Sequence, residues 1–274
     1  MKIPSFKKQT PLPVAAGVSR LTRVEFERLP YPALLKEPAQ FWDKIFIANE
    51  AYVLSEVTHP RVRRLLAYDA TQHWLFLEYY EAATLQELVQ TGVNRSHPGR
   101  IYRLLQAVAE TVADLHAGIL CGRPIVHNDL KSRNILEPVN APGEIRLIDF
   151  SHSYFDGNLP PFITDKKQEP HGTAKYLAPE KWEGDYTQGF AGDVFAFGVL
   201  AYFACLGKYP FDGDPTQIEK AIREATPPSP LQAEAHVHRS IALIIMACLE
   251  KDAARRPSME RVARVFADSA SLFH

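Results

Sequence analysis

Between Gly17 and Leu77 the apolar positions fall into short extended runs, Arg23–Leu29, Ala33–Leu35 and Trp74–Leu77, a pattern that predicts strands. One stretch of helical length, Ala39 to Val57, interrupts them, so this part of the chain reads as a small, mostly β lobe. On that helix Phe46, Val53, Leu54 and Val57 share a face, and Glu50 sits among them. A carboxylate there either reaches solvent or needs a cation, because burying it unpaired is expensive. Lys36, which ends the apolar segment Ala33–Leu35, is the candidate partner.

After Glu78–Ala83 the pattern turns helical. Ile101, Leu104, Leu105, Val108, Val112 and Leu115 repeat at helical spacing up to a break at Gly122-Arg123-Pro124. Ile125-Val126 follows, then a polar stretch to Asn134, Ile135-Leu136, a turn around Asn140–Gly143, and Ile145–Ile148. That order predicts a β-hairpin with polar residues at both mouths. The nearly uncharged run Val194 to Gly207 is shorter than the roughly 20 residues a bilayer span requires and reads as a buried core helix. The Pro-containing pieces Pro160–Pro161 and Pro227–Pro230 are short loops, and with no internal repeat the chain reads as one functional unit.

Composition narrows the function classes. The 274 residues, 46% of them hydrophobic, can bury a substantial core in one large domain or two lobes around a cleft. Thirty-one basic and 32 acidic residues leave a formal charge of -1, which argues against a row of nucleic-acid phosphates as partner. Cys121, Cys205 and Cys248 form neither a CxxC pair nor an even disulfide framework, so a reducing, cytoplasmic setting is expected, with delivery into a host cell left open. Met1 to Val14 carries Lys2, Lys7 and Lys8 with no apolar stretch behind them, which argues against a secretory signal.

The chemistry concentrates in His127-Asn-Asp-Leu-Lys-Ser-Arg-Asn134, with Asp149 at the end of the next strand. Phosphoryl transfer needs a carboxylate to orient an attacking hydroxyl, oxygen ligands for Mg²⁺ and a cation near the transferring phosphate; Asp129, Asn134, Asp149 and Lys131 are those types. His127 and Asp129 alone could equally cap a turn. These residues resemble the catalytic loop HRDLxxxxN and the metal motif DFG of the protein-kinase superfamily, written here HNDLKSRN and Asp149-Phe150-Ser151. Gly172-Thr-Ala-Lys-Tyr-Leu-Ala-Pro-Glu180 resembles the GTxxYxAPE segment of Ser/Thr kinases, Asp193-Val-Phe-Ala-Phe-Gly198 the DxWxxG helix, and Gly207-Lys-Tyr-Pro-Phe211 the GxxPF turn.

The resemblance, running from about Gly17 to Pro257, implies an α+β, two-lobed kinase fold: residues 1–77 as a nucleotide-covering lobe, 78–83 as hinge and 84–274 as the helical lobe. It implies Asp129 as catalytic base, Asn134 and Asp149 as Mg²⁺ (or Mn²⁺) ligands, Lys131 on the γ-phosphate, and Lys36 on the α/β-phosphates of ATP, paired with Glu50. Thr173 would bond Asp129 and Lys131, which points to a Ser or Thr acceptor on a protein substrate. Leu77 would be gatekeeper, the backbone of Glu78 and Tyr80 would hold the adenine, and Arg256 would pair with Glu180. Asp193 would brace the catalytic loop; an N-cap after Gly192 is a second reading that does not exclude the first.

The departures are local. The phosphate-covering GxGxxGxV loop is reduced to Gly17-Val-Ser19-Arg-Leu-Thr22-Arg-Val24, with Ser19 and Thr22 either crowding the nucleotide or offering hydroxyls. Asn128 stands where an arginine would meet a phosphorylated activation loop, so activity without that phosphorylation is expected; Ser153 and Thr164 are among the loop hydroxyls this concerns. Ser151 replaces the glycine of DFG and should restrict a backbone flip. His236-Val-His238 and Lys166-Lys167 read as solvated surface rather than a metal pair or an acidic-substrate dock. A pseudokinase scaffold and a small-molecule or lipopolysaccharide kinase are the alternative functions.

Overall fold

The computed structural model describes residues 6–13, 19–27, 31–160, 162, 173–214, 217–233 and 237–270. Gly17, Thr164, Lys166, Lys167, Gly172 and His236, singled out above, lie outside the described residues. The first lobe is an antiparallel sheet of β1 (Phe6–Pro11), β2 (Arg20–Phe26), β3 (Ala33–Glu37), β4 (Leu65–Asp69) and β5 (Trp74–Glu78), in the order β1-β2-β3-β5-β4. Helix α1 (Asp43–Glu56) lies between β3 and β4. It starts later than the periodicity suggests because the Asp43 carboxylate accepts from the amides of Ala39 and Gln40 and closes a turn ahead of it.

Strand alternation gives this sheet two apolar faces. One carries Leu34, Leu75 and Leu77 against Ile47, Val53 and Leu54 of α1. The other carries Val24, Phe26, Ala33, Leu35 and Phe76, with Phe6 and Trp74 packed on the same cluster. β1 and β4 escaped sequence reading for different reasons: β1 is exposed along most of its length, and no residue of β4 is fully buried.

The second lobe opens with β6 (Ala82–Thr84) and α2 (Leu85–Gln90), whose start is fixed by a reciprocal capping box between Thr84 and Glu87. After α3 (Val93–Ser96) comes α4 (Pro98–His116), which buries Ile101, Leu104, Leu105, Val108, Val112 and Leu115, the apolar stripe read from the sequence. β7 (Ile125–Val126) pairs with β10 (Tyr154–Phe155). The expected hairpin is β8 (Ile135–Pro138) with β9 (Arg146–Leu147), extended to three strands by β6. The polar stretches at its mouths, 127–134 and 149–151, therefore emerge side by side.

Helix α5 (Pro179–Trp182) precedes α6 (Gly189–Leu206), the apolar helix, which is long enough to cross a membrane by length and composition yet 89% buried within the protein. It is the spine of the lobe, with α4, α9 (Arg239–Cys248) and the shorter α8 (Pro230–Ala233) around it, α7 (Ile218–Glu224) packed on α5, and α10 (Met259–Ala270) closing over α4. α9 comes so close that a Cβ on Gly198 would stand 2.8 Å from Cys248 Cβ.

Arg256 ties α5 to this spine. Its guanidinium donates to both oxygens of Glu180 at 2.7 and 2.8 Å and to the carbonyls of Ala191, Glu250 and Lys251. Its side chain is wholly buried. Replacing one partner of such a pair strands the other, so Arg256→Met is expected to lower stability by about 3–5 kcal/mol in a urea titration. A loss under about 1 kcal/mol would show that the pair ties nothing.

Candidate active site

The loop after β7 is held from behind. The Asp193 carboxylate, inside α6, accepts the backbone amides of His127 and Asn128, both at 2.8 Å, and contacts His116 Nε2 at 3.1 Å. Asp193 is the fifth residue of its helix, so the N-cap reading does not hold. Pulled back in this way, Asn128 takes a left-handed φ of 63°, a conformation that asparagine tolerates better than most residues. Burial would raise the Asp193 carboxyl, but the bond and charge of His116 together with the charges of Lys181 and His127 outweigh it and leave Asp193 below the usual carboxylate range.

The reversal turns Asp129 toward Thr173 and Lys131. Thr173 Oγ1 donates to Asp129 Oδ1 at 3.2 Å, and Lys131 Nζ donates to Asp129 Oδ2 at 2.5 Å and to Thr173 Oγ1 at 3.1 Å. A single 3₁₀ turn, Ser132–Asn134, brings Asn134 under the same loop, where its Nδ2 donates to the Asp129 carbonyl at 2.8 Å. Tyr176 fastens this turn to the following segment through Ser132, hydroxyl to hydroxyl at 3.1 Å.

A second cluster joins the lobes. Lys36 Nζ donates to Glu50 Oε2 at 2.7 Å and to Asp149 Oδ1 at 3.1 Å. Glu50 is therefore paired and buried rather than solvated, and its Oε1 also accepts the Phe150 amide. Burial alone would depress the Lys36 ammonium, but Asp149 and Glu50 outweigh it and hold it above its ordinary value. Asp149 shows the opposite balance: burial would raise it, yet Lys36 and then Lys131 hold it well below the carboxylate range. Burial pushes Glu50 up, with Lys36 opposing. Ser151 Oγ donates to Asp149 Oδ1 at 2.8 Å, so the residue standing in for glycine becomes a support of the carboxylate. Asp149 itself has φ 65°.

Leu77 is buried on β5 opposite Leu34, on the sheet face that carries Lys36. The Glu78 amide is used by the Arg64 carbonyl at 3.0 Å, whereas the Tyr80 backbone makes no hydrogen bond among the described residues. The register corrects one expectation: Leu21, not Val24, is opposite Lys36, and Val24 points to the other face into the cluster with Phe26 and Phe76. Thr22 likewise faces away from Lys36, while Ser19, just before β2, is buried. Ser153 is also reassigned: its fully buried hydroxyl donates to the His127 carbonyl at 2.8 Å, a structural bond rather than an accessible loop hydroxyl.

Sequence reading missed two polar side chains here. Asn49 Nδ2 donates to the carbonyls of Ser151 and Ser153, both at 2.9 Å, pinning α1 to the chain beyond Asp149; its position next to Glu50 was the available signal. Lys181 is buried with its Nζ 2.6 Å from Asn128 Oδ1, and nothing in its neighbourhood in the sequence announces that.

Among the described residues no cluster of three or more His, Cys, Asp or Glu side chains forms a metal cage. Asn134 and Asp149 nevertheless each keep an oxygen, Asn134 Oδ1 and Asp149 Oδ2, without a hydrogen-bond partner among the described residues. Two hard oxygen donors fit a Mg²⁺-type cation that fills its remaining positions with water and phosphate oxygens.

The model of the protein kinase domain family matches residues 34–265. The chain is similar to the serine/threonine-protein kinase pkn2 of Myxococcus xanthus, with 32% identity over 82% of this chain and 27% of that protein. It is similar to the serine/threonine-protein kinase RUNKEL of Arabidopsis thaliana, with 32% identity over 77% of this chain and 15% of that one. With the serine/threonine-protein kinase pkn3 of Myxococcus xanthus it shares 27% identity over 77% of this chain and 39% of that protein. The chain thus spans well under half the length of these relatives.

Burial lowers the pKa of His127, whose ring lies 4.7 Å from that of Phe150. The unfolded chain therefore takes up a proton near pH 6.5 that the folded chain refuses, so stability is complete above that pH and falls as pH drops below it. In urea titrations between pH 7.5 and 5, wild type is expected to lose more stability than a His127→Phe variant; equal losses would exclude His127 as the source.

Proposed function

The chain belongs to the protein kinase domain family, and from that premise we propose that it transfers the γ-phosphoryl group of ATP to Ser or Thr hydroxyls of protein substrates. The observation that carries this reading is the triangle of Asp129, Lys131 and Thr173 beside the Lys36–Glu50–Asp149 cluster. In the proposal Asp129 orients the acceptor hydroxyl and takes its proton as the new bond to the γ-phosphorus forms and the bond to the β,γ-bridging oxygen breaks, with ADP leaving. Lys131 balances charge at the transferring group, and Thr173, bonded to both Asp129 and Lys131, helps present a Ser or Thr hydroxyl. Lys36, fixed by two carboxylates, meets the α- and β-phosphates as a rigid cation. Asn134 and Asp149 would hold the divalent cation, whose contribution is to neutralise charge on the phosphates. Leu77 and the open backbone of Tyr80 would border the base, with Leu21 in place of Val24 above it.

The proposal extends to regulation and setting. Asn128 cannot form the charge-assisted bonds an arginine makes to a phosphate, so the activity would not require a phosphorylated activation segment. Three free cysteines support a reducing, cytoplasmic location; burial pushes the thiols of Cys205 and Cys248 up to about 12, which makes them unreactive.

Incubation with radiolabelled ATP, Mg²⁺ and generic protein substrates tests the reading. Wild type is expected to label Ser or Thr, and Asp149→Ala to lose at least about 99% of the rate while keeping its fold. Labelling equal in both proteins, or absent from both despite intact folding, would sink the reading and favour a scaffold.

A further inference from the structure

Lys181 is 3% exposed, and among the described residues no carboxylate lies within ion-pairing distance of its Nζ. Its hydrogen-bond partner is the Asn128 carboxamide oxygen at 2.6 Å. Space for it is made by Gly192 of α6, where a Cβ would stand 2.5 Å from Lys181 Cε and 2.8 Å from its Nζ. Burial lowers the Lys181 pKa, with Asp193 and then Glu180 opposing from a distance.

A buried cation answered by one neutral amide is a poor way to stabilise a protein, since an apolar side chain of the same length would fit without a desolvation cost. What the arrangement does provide is connection. The same Asn128 carboxamide donates through Nδ2 to the His152 carbonyl at 3.2 Å. One side chain thus joins the start of the segment after Asp149, the end of that segment at α5, and the loop that presents Asp129. Asn128 is suited to this because it combines a left-handed backbone with a carboxamide that accepts on one side and donates on the other.

We infer that Lys181 is a positioning residue for phosphoryl transfer: through Asn128 it holds the Asp129 loop and both ends of the segment between Asp149 and α5 in one arrangement. The inference rests on the kinase reading above and supplies a cause for the phosphorylation-independent activity proposed there. The link is built from side chains always present, so it needs no added phosphate.

The test uses the full chain with Lys181→Met, which keeps length and burial, and Asn128→Gly, which accepts the positive φ and removes the carboxamide. Each is expected to lower kcat by roughly 10- to 100-fold, as a displaced catalytic group does, with KM for ATP within about twofold of wild type. The melting temperature of Lys181→Met should be unchanged or higher, the opposite of what a stabilising role would give. The double variant should be no slower than the slower single one, because both substitutions cut one link. Hydrogen exchange at residues 127–134 and 151–153 should rise in both single variants. If Lys181→Met fails to fold, Asn128→Gly reads the same link from its other end. A variant that keeps the wild-type melting temperature, transfers phosphate at about the wild-type rate and leaves that exchange unchanged overturns the inference. If wild type itself transfers no phosphate the kinase reading fails separately, and the tether then stands or falls on the exchange measurement.

Discussion

The site hangs from one buried carboxylate. Asp193 sits inside an apolar helix where an isolated charge would be costly, and it is tolerated because two backbone amides and His116 satisfy it. Those two amides belong to His127 and Asn128, so meeting the needs of Asp193 forces the loop into a reversal with Asn128 left-handed. Asp129 is the next residue, and its direction toward Thr173 and Lys131 is a consequence of that reversal. The geometry of the candidate site is therefore set by a residue that bonds the loop's backbone and not the Asp129, Lys131 or Thr173 side chains.

A second constraint joins the lobes. Lys36 lies on the sheet, Glu50 on α1 and Asp149 at the mouth of the β8–β9 hairpin, and one ammonium bonds both carboxylates. Neither carboxylate would be well placed alone: Glu50 is buried, and Asp149 is backed by Ser151 in a strained backbone conformation. Asn49 adds two bonds from α1 to the carbonyls of Ser151 and Ser153. The glycine-to-serine exchange and the asparagine beside Glu50 thus act together, holding the helix and the metal-motif segment in register.

Much of this was legible along the chain. Helical spacing located the stripe of α4, because burial of one face writes its period into the sequence, and continuous apolar runs located β3 and β5, whose two faces are both covered. Lys36 and Glu50 could be named in advance only as candidate partners, since that carboxylate could equally have reached solvent; the kinase resemblance favoured the pair, and the 2.7 Å contact decides it. β1 and β4 escaped for want of a fully buried alternating face.

What the sequence by itself determined is the set of candidate groups, since His127–Asn134, Asp149 and the Thr173–Glu180 segment are contiguous motifs whose residue types suit phosphoryl transfer. What only the tertiary structure decided is which neighbours those groups acquire. A one-residue change of register moves a strand's side chains to the opposite face, which is why Val24 went to the outer cluster and Leu21 to the face of Lys36. The Asn128–Lys181 link depends on a missing Cβ at Gly192 in another helix, and steric room between distant segments leaves no local period to read.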